Sequence, residues 1–107
     1  MQLGTFYTVM NITDAANVFK ANNCSSTKDQ DAVACLAAQL LATKLNLANG
    51  SLACPTILQT VTDAQNFLTG VNYTGPGGKY TLNSLQRAQA ISLKSKLDAY
   101  NNNIGCP

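Results

Sequence analysis

Between residues 29 and 50 the hydrophobic positions follow the spacing of an α-helix. Asp29 and Asp31 stand where a helix start favours negative charge, and Asn49-Gly50 provides a left-handed stop. The apolar positions are Val33, Leu36, Leu40 and Leu47, widened by Leu41, Leu45 and Ala48. Because a helix that is apolar over so much of its circumference is buried on most sides, this pattern predicts a central helix.

Two more helices are predicted from their end signals. Thr13 is predicted to cap a short first helix that ends at Asn22-Asn23. Pro55 suits the first position of a third helix, which ends at Gly70. The apolar face of this third helix is Ile57, Val61, Ala64 and Leu68.

A fourth helix is predicted to begin near Thr81 or Asn83, because Asn83 and Gln86 have the spacing of a capping box. Its inner face is Ala90, Leu93, Leu97, Tyr100 and Ile104. Residues 3–10 lack this spacing and are predicted to form an extended or irregular segment that packs Leu3, Phe6 and Val9 onto the helices. The predicted fold is all-α: one domain over residues 1–107, a small up-down four-helix bundle with two disulfides.

Composition excludes two classes of function. No window of 18 residues is free of polar groups, so no membrane insertion is expected. The net charge is only +2 and the cations are scattered, so nucleic-acid binding is not expected either. The first ten residues lack the basic start and apolar block of a signal peptide, which leaves open whether Met1 is native.

Four cysteines and no histidine limit the chemistry further. Sites that need histidine, such as mixed Cys–His zinc sites and Ser–His–Asp triads, are excluded. A zinc site of four cysteines is disfavoured because the cysteines do not form CxxC pairs, so no metal or other cofactor is expected. An even cysteine count in a small domain favours two disulfides, and the alternative is four buried thiols in a cytosolic protein.

Four cysteines allow three pairings, and the predicted topology favours one of them. In an up-down bundle the junction that holds Cys54 lies at the same end as Cys106. Cys24 lies at the opposite end, beside the start of the helix that carries Cys35. The predicted disulfides are therefore Cys24–Cys35 and Cys54–Cys106.

No catalytic residue is expected. Asp14, Asp29 and Asp31 are explained by helix starts, while Asp63 and Asp98 lie among polar neighbours on helices. The sequence GPGGK at 75–79 resembles a phosphate-binding loop, but it lacks the preceding strand and the Lys-Ser/Thr ending, so a flexible turn is predicted. The chain is therefore not expected to be an enzyme.

Tyr73 and Tyr80 flank the loop between the third and fourth helices. They are either a surface on which a sugar or another ligand stacks, or a clamp that holds the loop on the bundle. The chain also carries four Asn-x-Ser/Thr sequons, whose use depends on whether the source glycosylates its proteins. The sequon asparagines are Asn11, Asn23, Asn49 and Asn72.

Three stretches resemble a helical module of secreted and cell-surface proteins of bacteria and archaea. LGTFYT at 3–8 resembles the opening motif of the module, residues 36–50 its central helix, and LDAYNNNIGCP at 97–107 its closing segment. The Gly-Tyr-Trp-Lys segment that often precedes the module is absent here. The family has no established activity, so the resemblance implies an extracellular setting and assigns no functional residue.

Together these observations predict a non-enzymatic, disulfide-stabilised structural or assembly module, secreted or at the cell surface. Its expected partners are further copies of itself or neighbouring domains of a surface protein. The alternative is a ligand- or carbohydrate-binding module that uses the 70–80 loop, with Tyr73 and Tyr80 as binding residues.

Overall fold

The computed structural model describes residues 1–26 and 28–102, and this part of the chain contains four helices. The helices are α1 (Ile12–Lys20), α2 (Asp29–Ala48), α3 (Pro55–Gly70) and α4 (Ser84–Asn101). The extended pairing found within the described residues is a single antiparallel bridge between Gln2 and Thr8. The all-α class is confirmed, and α3 has the predicted ends.

The start of α1 differs from the prediction by two residues. Asn11 is the cap: its Oδ1 accepts a hydrogen bond from the Asp14 N–H at 2.9 Å. The Asp14 carboxylate in turn accepts from the Met10 N–H at 2.9 Å. This reciprocal arrangement satisfies two backbone donors, and Asn is a somewhat better cap than Thr, so the helix begins before Thr13.

The central position of α2 is confirmed, since it packs against each of the other three helices and most extensively against α4. Gly50, with φ 94°, follows the end of the helix as predicted. Leu45 and Leu47 are half-buried and Ala48 is exposed, so the last turn of the predicted stripe lies at the margin of the core. The buried residues of α2 are Val33, Cys35, Leu36, Ala37, Ala38, Leu40, Leu41 and Thr43.

A polar network joins the end of α4 to α2. Asn101 Oδ1 accepts hydrogen bonds at 3.0 Å from Thr43 Oγ1 and from Asn46 Nδ2. Its Nδ2 donates to the backbone carbonyl and the side chain of Gln39 at 3.1 and 2.9 Å. Thr43 is fully buried, and its hydroxyl also lies 2.9 Å from the Gln39 carbonyl of its own helix, so this buried polar group has partners on both helices.

The start of α4 is held by two sets of contacts. The predicted capping box of Asn83 and Gln86 is present. Asp29 of α2 accepts from the Leu82 N–H at 3.0 Å and from Arg87 Nε at 2.9 Å. Asp29 therefore does more than complement the start of its own helix, because it fastens α4 to α2.

The N-terminal segment folds back on itself. The Leu3 N–H donates to the Tyr7 carbonyl at 3.0 Å, and the Val9 N–H donates to the Met1 carbonyl at 2.7 Å. Leu3 is fully buried and Val9 packs partly against the core, as predicted. Phe6 is instead 56% exposed, because it lies in the turn and Tyr7 packs against the core.

One disulfide is found in the described part of the chain. Cys24 and Cys35 are bonded, with a Cα–Cα distance of 5.1 Å, so the first predicted pairing is confirmed. Cys106 lies outside the described residues, as does Ile104 of the predicted inner face of α4. The pairing Cys54–Cys106 stays a prediction.

Candidate functional site

Three tyrosines form a cluster beneath the loop between α3 and α4. The rings of Tyr7 and Tyr73 meet edge to face, with centroids 5.7 Å apart. The rings of Tyr73 and Tyr80 are stacked, with centroids 6.2 Å apart. Tyr73 is 2% exposed, and this burial, with smaller effects from Tyr80 and Tyr7, raises its pKa well above the ordinary value for tyrosine.

The loop itself rests on this cluster. Tyr80 Oη accepts a hydrogen bond from the Thr74 N–H at 3.3 Å. Gly75 has φ 111°, and a Cβ at this position would lie 2.7 Å from the Tyr7 ring, so only glycine fits here. This geometry agrees with the interpretation of the tyrosines as a clamp. Ligand binding by Tyr73 and Tyr80 stays a prediction, and solvent reaches Tyr80 more than Tyr73.

An open groove of about 500 Å³ lies between α3 and α4. The α3 side chains follow helical spacing, since Asp63, Asn66, Phe67 and Gly70 are at i, i+3, i+4 and i+7. On α4 the lining residues are at i, i+3, i+6 and i+7. They are Gln86, Gln89, Ser92 and Leu93, and Val71 closes the end near the loop. The pattern of residues in the sequence did not indicate this groove.

A smaller pocket of about 290 Å³ lies beside the disulfide, between the start of α2 and α4. Cys24 and Cys35 form one wall, and Ile91 and Ala90 form another. Arg87 lines the pocket too, but its guanidinium is already engaged by Asp29 and by the Leu82 carbonyl.

Large apolar side chains are exposed in the N-terminal segment and on α1. Ile12, at the first position of α1, is 88% exposed, and Phe19 shares its helix face because it follows seven residues later. We call Phe6, Met10, Ile12 and Phe19 the N-terminal apolar residues; all four are exposed.

The other sequence-predicted residues are dispersed. Among the described residues, no three cysteine or aspartate side chains are grouped so as to hold a metal ion. No helix in the same ranges is long and apolar enough to cross a membrane. The four sequon asparagines, Asn11, Asn23, Asn49 and Asn72, are exposed.

Comparisons with protein-family models, with curated proteins and with solved structures found no match to this chain. The resemblance to a module of secreted proteins therefore stays an expectation. The function must be inferred from the fold and its surfaces.

Proposed function

We propose that this chain is a non-enzymatic structural or assembly module of a secreted or cell-surface protein. In this proposal the helices are arranged up-down, and the second disulfide, Cys54–Cys106, secures the end of the bundle opposite Cys24–Cys35. The module contributes surfaces for contact with further copies of itself or with neighbouring domains.

The Cys24–Cys35 disulfide is the observation that carries the proposal. Disulfides persist in oxidising compartments and are rare in the cytosol of most organisms. This one links the segment between α1 and α2 to α2 itself, and Cys35 lies in the core beside residues such as Leu36. A disulfide in this position supports folding outside the cytosol.

The N-terminal apolar residues support the assembly role. Met10 and Ile12, which lie on either side of the cap residue Asn11 at the start of α1, are 76% and 88% exposed. Because exposed apolar surface is favourable to cover, such residues are typical of contact surfaces between proteins when they are grouped.

The compartment is tested by alkylating free thiols in intact source cells with a membrane-permeant thiol reagent, followed by mass analysis of the protein with and without reduction. We expect Cys24 and Cys35 to be alkylated only after reduction, and an antibody against the chain to label the surface of intact cells or the medium. Alkylation of both cysteines without reduction, with the chain confined to the cytosol, would contradict the proposal.

The assembly role is tested by light scattering over a range of concentrations. We expect the molar mass of the wild type to rise with concentration, and Ile12→Ser to shift this rise to higher concentration. Leu85→Ser is the matched control, since Leu85 is 68% exposed on α4, away from α1 in the chain. Equal effects of the two variants would exclude the N-terminal apolar residues as the contact.

Ligand or carbohydrate binding at the 70–80 loop is the alternative function. Tyr80 is the ring that solvent reaches, while Tyr73 contributes by holding it in place through stacking. A Tyr80→Ala variant that loses binding of a ligand found by glycan array would favour this alternative.

A further inference from the structure

The groove between α3 and α4 carries polar side chains that the fold does not use. Asn66 and Gln89 are exposed, and neither side chain makes a hydrogen bond within the described residues. Ser92 is also exposed, and its hydroxyl makes no hydrogen bond within the described residues. Other amides, such as those of Asn11, Asn83 and Asn101, are engaged within the fold. Asn66 and Gln89 are thus two unengaged amides on the concave surface between α3 and α4.

The chemistry of these groups matches hydroxyl-rich ligands. An amide side chain both donates and accepts hydrogen bonds, and so does a serine hydroxyl. A sugar hydroxyl has the same dual character, so adjacent amides satisfy it in either direction. The Asp63 carboxylate adds a strong acceptor, which is held at 2.9 Å by Gln59.

The charge of the groove selects against anions. Asp63 is the charged residue among those that line it, and no lysine or arginine lines it. A phosphate or carboxylate ligand would meet a like charge without a compensating cation. A cationic ligand would meet one carboxylate and a set of neutral amides, which gives little specificity.

The groove also offers an apolar face. Phe67 is half-buried, so its ring is fixed by the core while its remaining surface lines the groove. Leu93 is half-buried and faces it from α4. Binding sites for small molecules commonly combine a rigid apolar surface with a few convergent polar groups, and about 500 Å³ is within their usual size.

We propose that the groove between α3 and α4 binds a neutral saccharide, with Asn66 and Gln89 hydrogen-bonding its hydroxyls and Phe67 packing against its ring. This inference goes beyond the proposed function, because a saccharide site is independent of whether the module assembles. It also differs from the tyrosine hypothesis in its residues, since neither Tyr73 nor Tyr80 lines the groove.

Gly70 provides a direct test. It lines the groove at the last position of α3, and a Cβ added there would meet no atom within 4 Å. Gly70→Met therefore adds a flexible apolar side chain at the groove with no clash at its Cβ, and it replaces glycine with a better helix former. Thr62→Met is the matched control, because Thr62 is exposed on α3 and does not line the groove.

The experiment follows the side-chain amide signals of Asn66 and Gln89 by two-dimensional NMR during titration with maltose, cellobiose, lactose and N,N′-diacetylchitobiose. We expect at least one disaccharide to shift these signals, with a dissociation constant on the order of 1 mM, as suits an open groove. Gly70→Met should weaken binding at least about tenfold, and Thr62→Met should leave it unchanged.

Asn66→Ala with Gln89→Ala separates recognition from shape. Both side chains are exposed and lack internal partners, so the pair of substitutions should leave the melting temperature unchanged and remove binding. Three results would overturn the proposal: no shift with any of the four disaccharides, shifts confined to the Tyr80 loop, or full binding by Gly70→Met.

Discussion

Replacement of both Cys24 and Cys35 with alanine should lower the free energy of unfolding by about 3 kcal/mol. The two cysteines are 11 residues apart, and a cross-link that closes a loop of this length removes entropy from the unfolded chain equivalent to about 3 kcal/mol at 25 °C. For a domain of this size the same loss corresponds to a melting temperature lower by roughly 10–20 °C.

Cys24 and Cys35 differ in burial, and this difference affects the expected loss of unfolding free energy. Cys24 is exposed, so its replacement by alanine removes little packing. Cys35 is almost fully buried in α2, and its replacement by alanine removes one sulfur from the core. The core contribution adds to the entropic one, so the total loss should exceed that expected from the loop alone.

Urea unfolding followed by circular dichroism at neutral pH measures the loss. The double variant is preferable to a reducing agent, because a reducing agent would also break the predicted Cys54–Cys106 bond. Reduction of the double variant then tests that bond separately, and its longer loop predicts a further loss of about 4 kcal/mol. A loss below about 1 kcal/mol in the unreduced double variant would refute the reasoning that the Cys24–Cys35 bond constrains the unfolded chain.

Three other predictions follow from the contacts. The hydrogen bond from Arg87 lowers the pKa of Asp29. The ionised Asp29 side chain therefore stabilises the folded protein fully above the ordinary aspartate pKa of about 4, and this stabilisation is lost as the pH falls through the lowered pKa. Asp29→Asn should therefore lower the urea midpoint at pH near 7, and the difference from wild type should close in acid; a constant difference would contradict this. Burial raises the pKa of Tyr73, so the folded protein keeps a proton that the unfolded chain loses, and stability should fall above pH about 10. Tyr73→Phe should reduce this loss of stability in urea titrations at alkaline pH. If the variant loses stability with rising pH as steeply as the wild type, the prediction is wrong. Gly4 has φ 72°, and a Cβ there would lie 3.0 Å from Leu68 Cβ, so Gly4→Ala should cost about 2 kcal/mol in thermal unfolding, with an unaltered melting temperature as the opposing result.

Helix ends were predictable where the signal is local. Pro55 and Gly70 mark the ends of α3, and Asn83 forms its capping box with a residue three positions away. Each signal acts within one helical turn, so no knowledge of the tertiary structure is needed to interpret it. The start of α1 shows the limit, since Asn11 and Thr13 are both acceptable caps and the Asp14 carboxylate favours the earlier one.

The orientation of the N-terminal aromatics could not be predicted in this way. Phe6 and Tyr7 are neighbours, and the backbone hydrogen bonds of residues 1–9 decide which of them faces the core. The register of that short pairing depends on contacts with α3, such as the bond from the Gly4 N–H to Gln65 Oε1 at 2.5 Å. Sequence spacing alone does not contain this information.

The groove between α3 and α4 could not be predicted from the sequence for a related reason. The spacing of Asp63, Asn66, Phe67 and Gly70 is visible in the sequence, but any amphipathic helix has a polar face with such a spacing. The groove exists only because α4 lies beside that face and brings Gln89 opposite it. Packing between helices, which the sequence does not specify directly, turns a solvated face into a concave one.

The asparagines show why partners, more than composition, identify a site. Twelve asparagines are spread through the chain, and the sequence offers no way to rank them. The side chains of Asn83 and Asn101 make their hydrogen bonds within the fold: Asn83 accepts from the Gln86 N–H, and Asn101 accepts from Thr43 and Asn46. Asn66 has the same chemistry and no internal partner, so its loss should leave stability unchanged. A polar group that the fold does not need, placed in a concave surface beside a fixed aromatic ring, is the kind of group most available to a ligand.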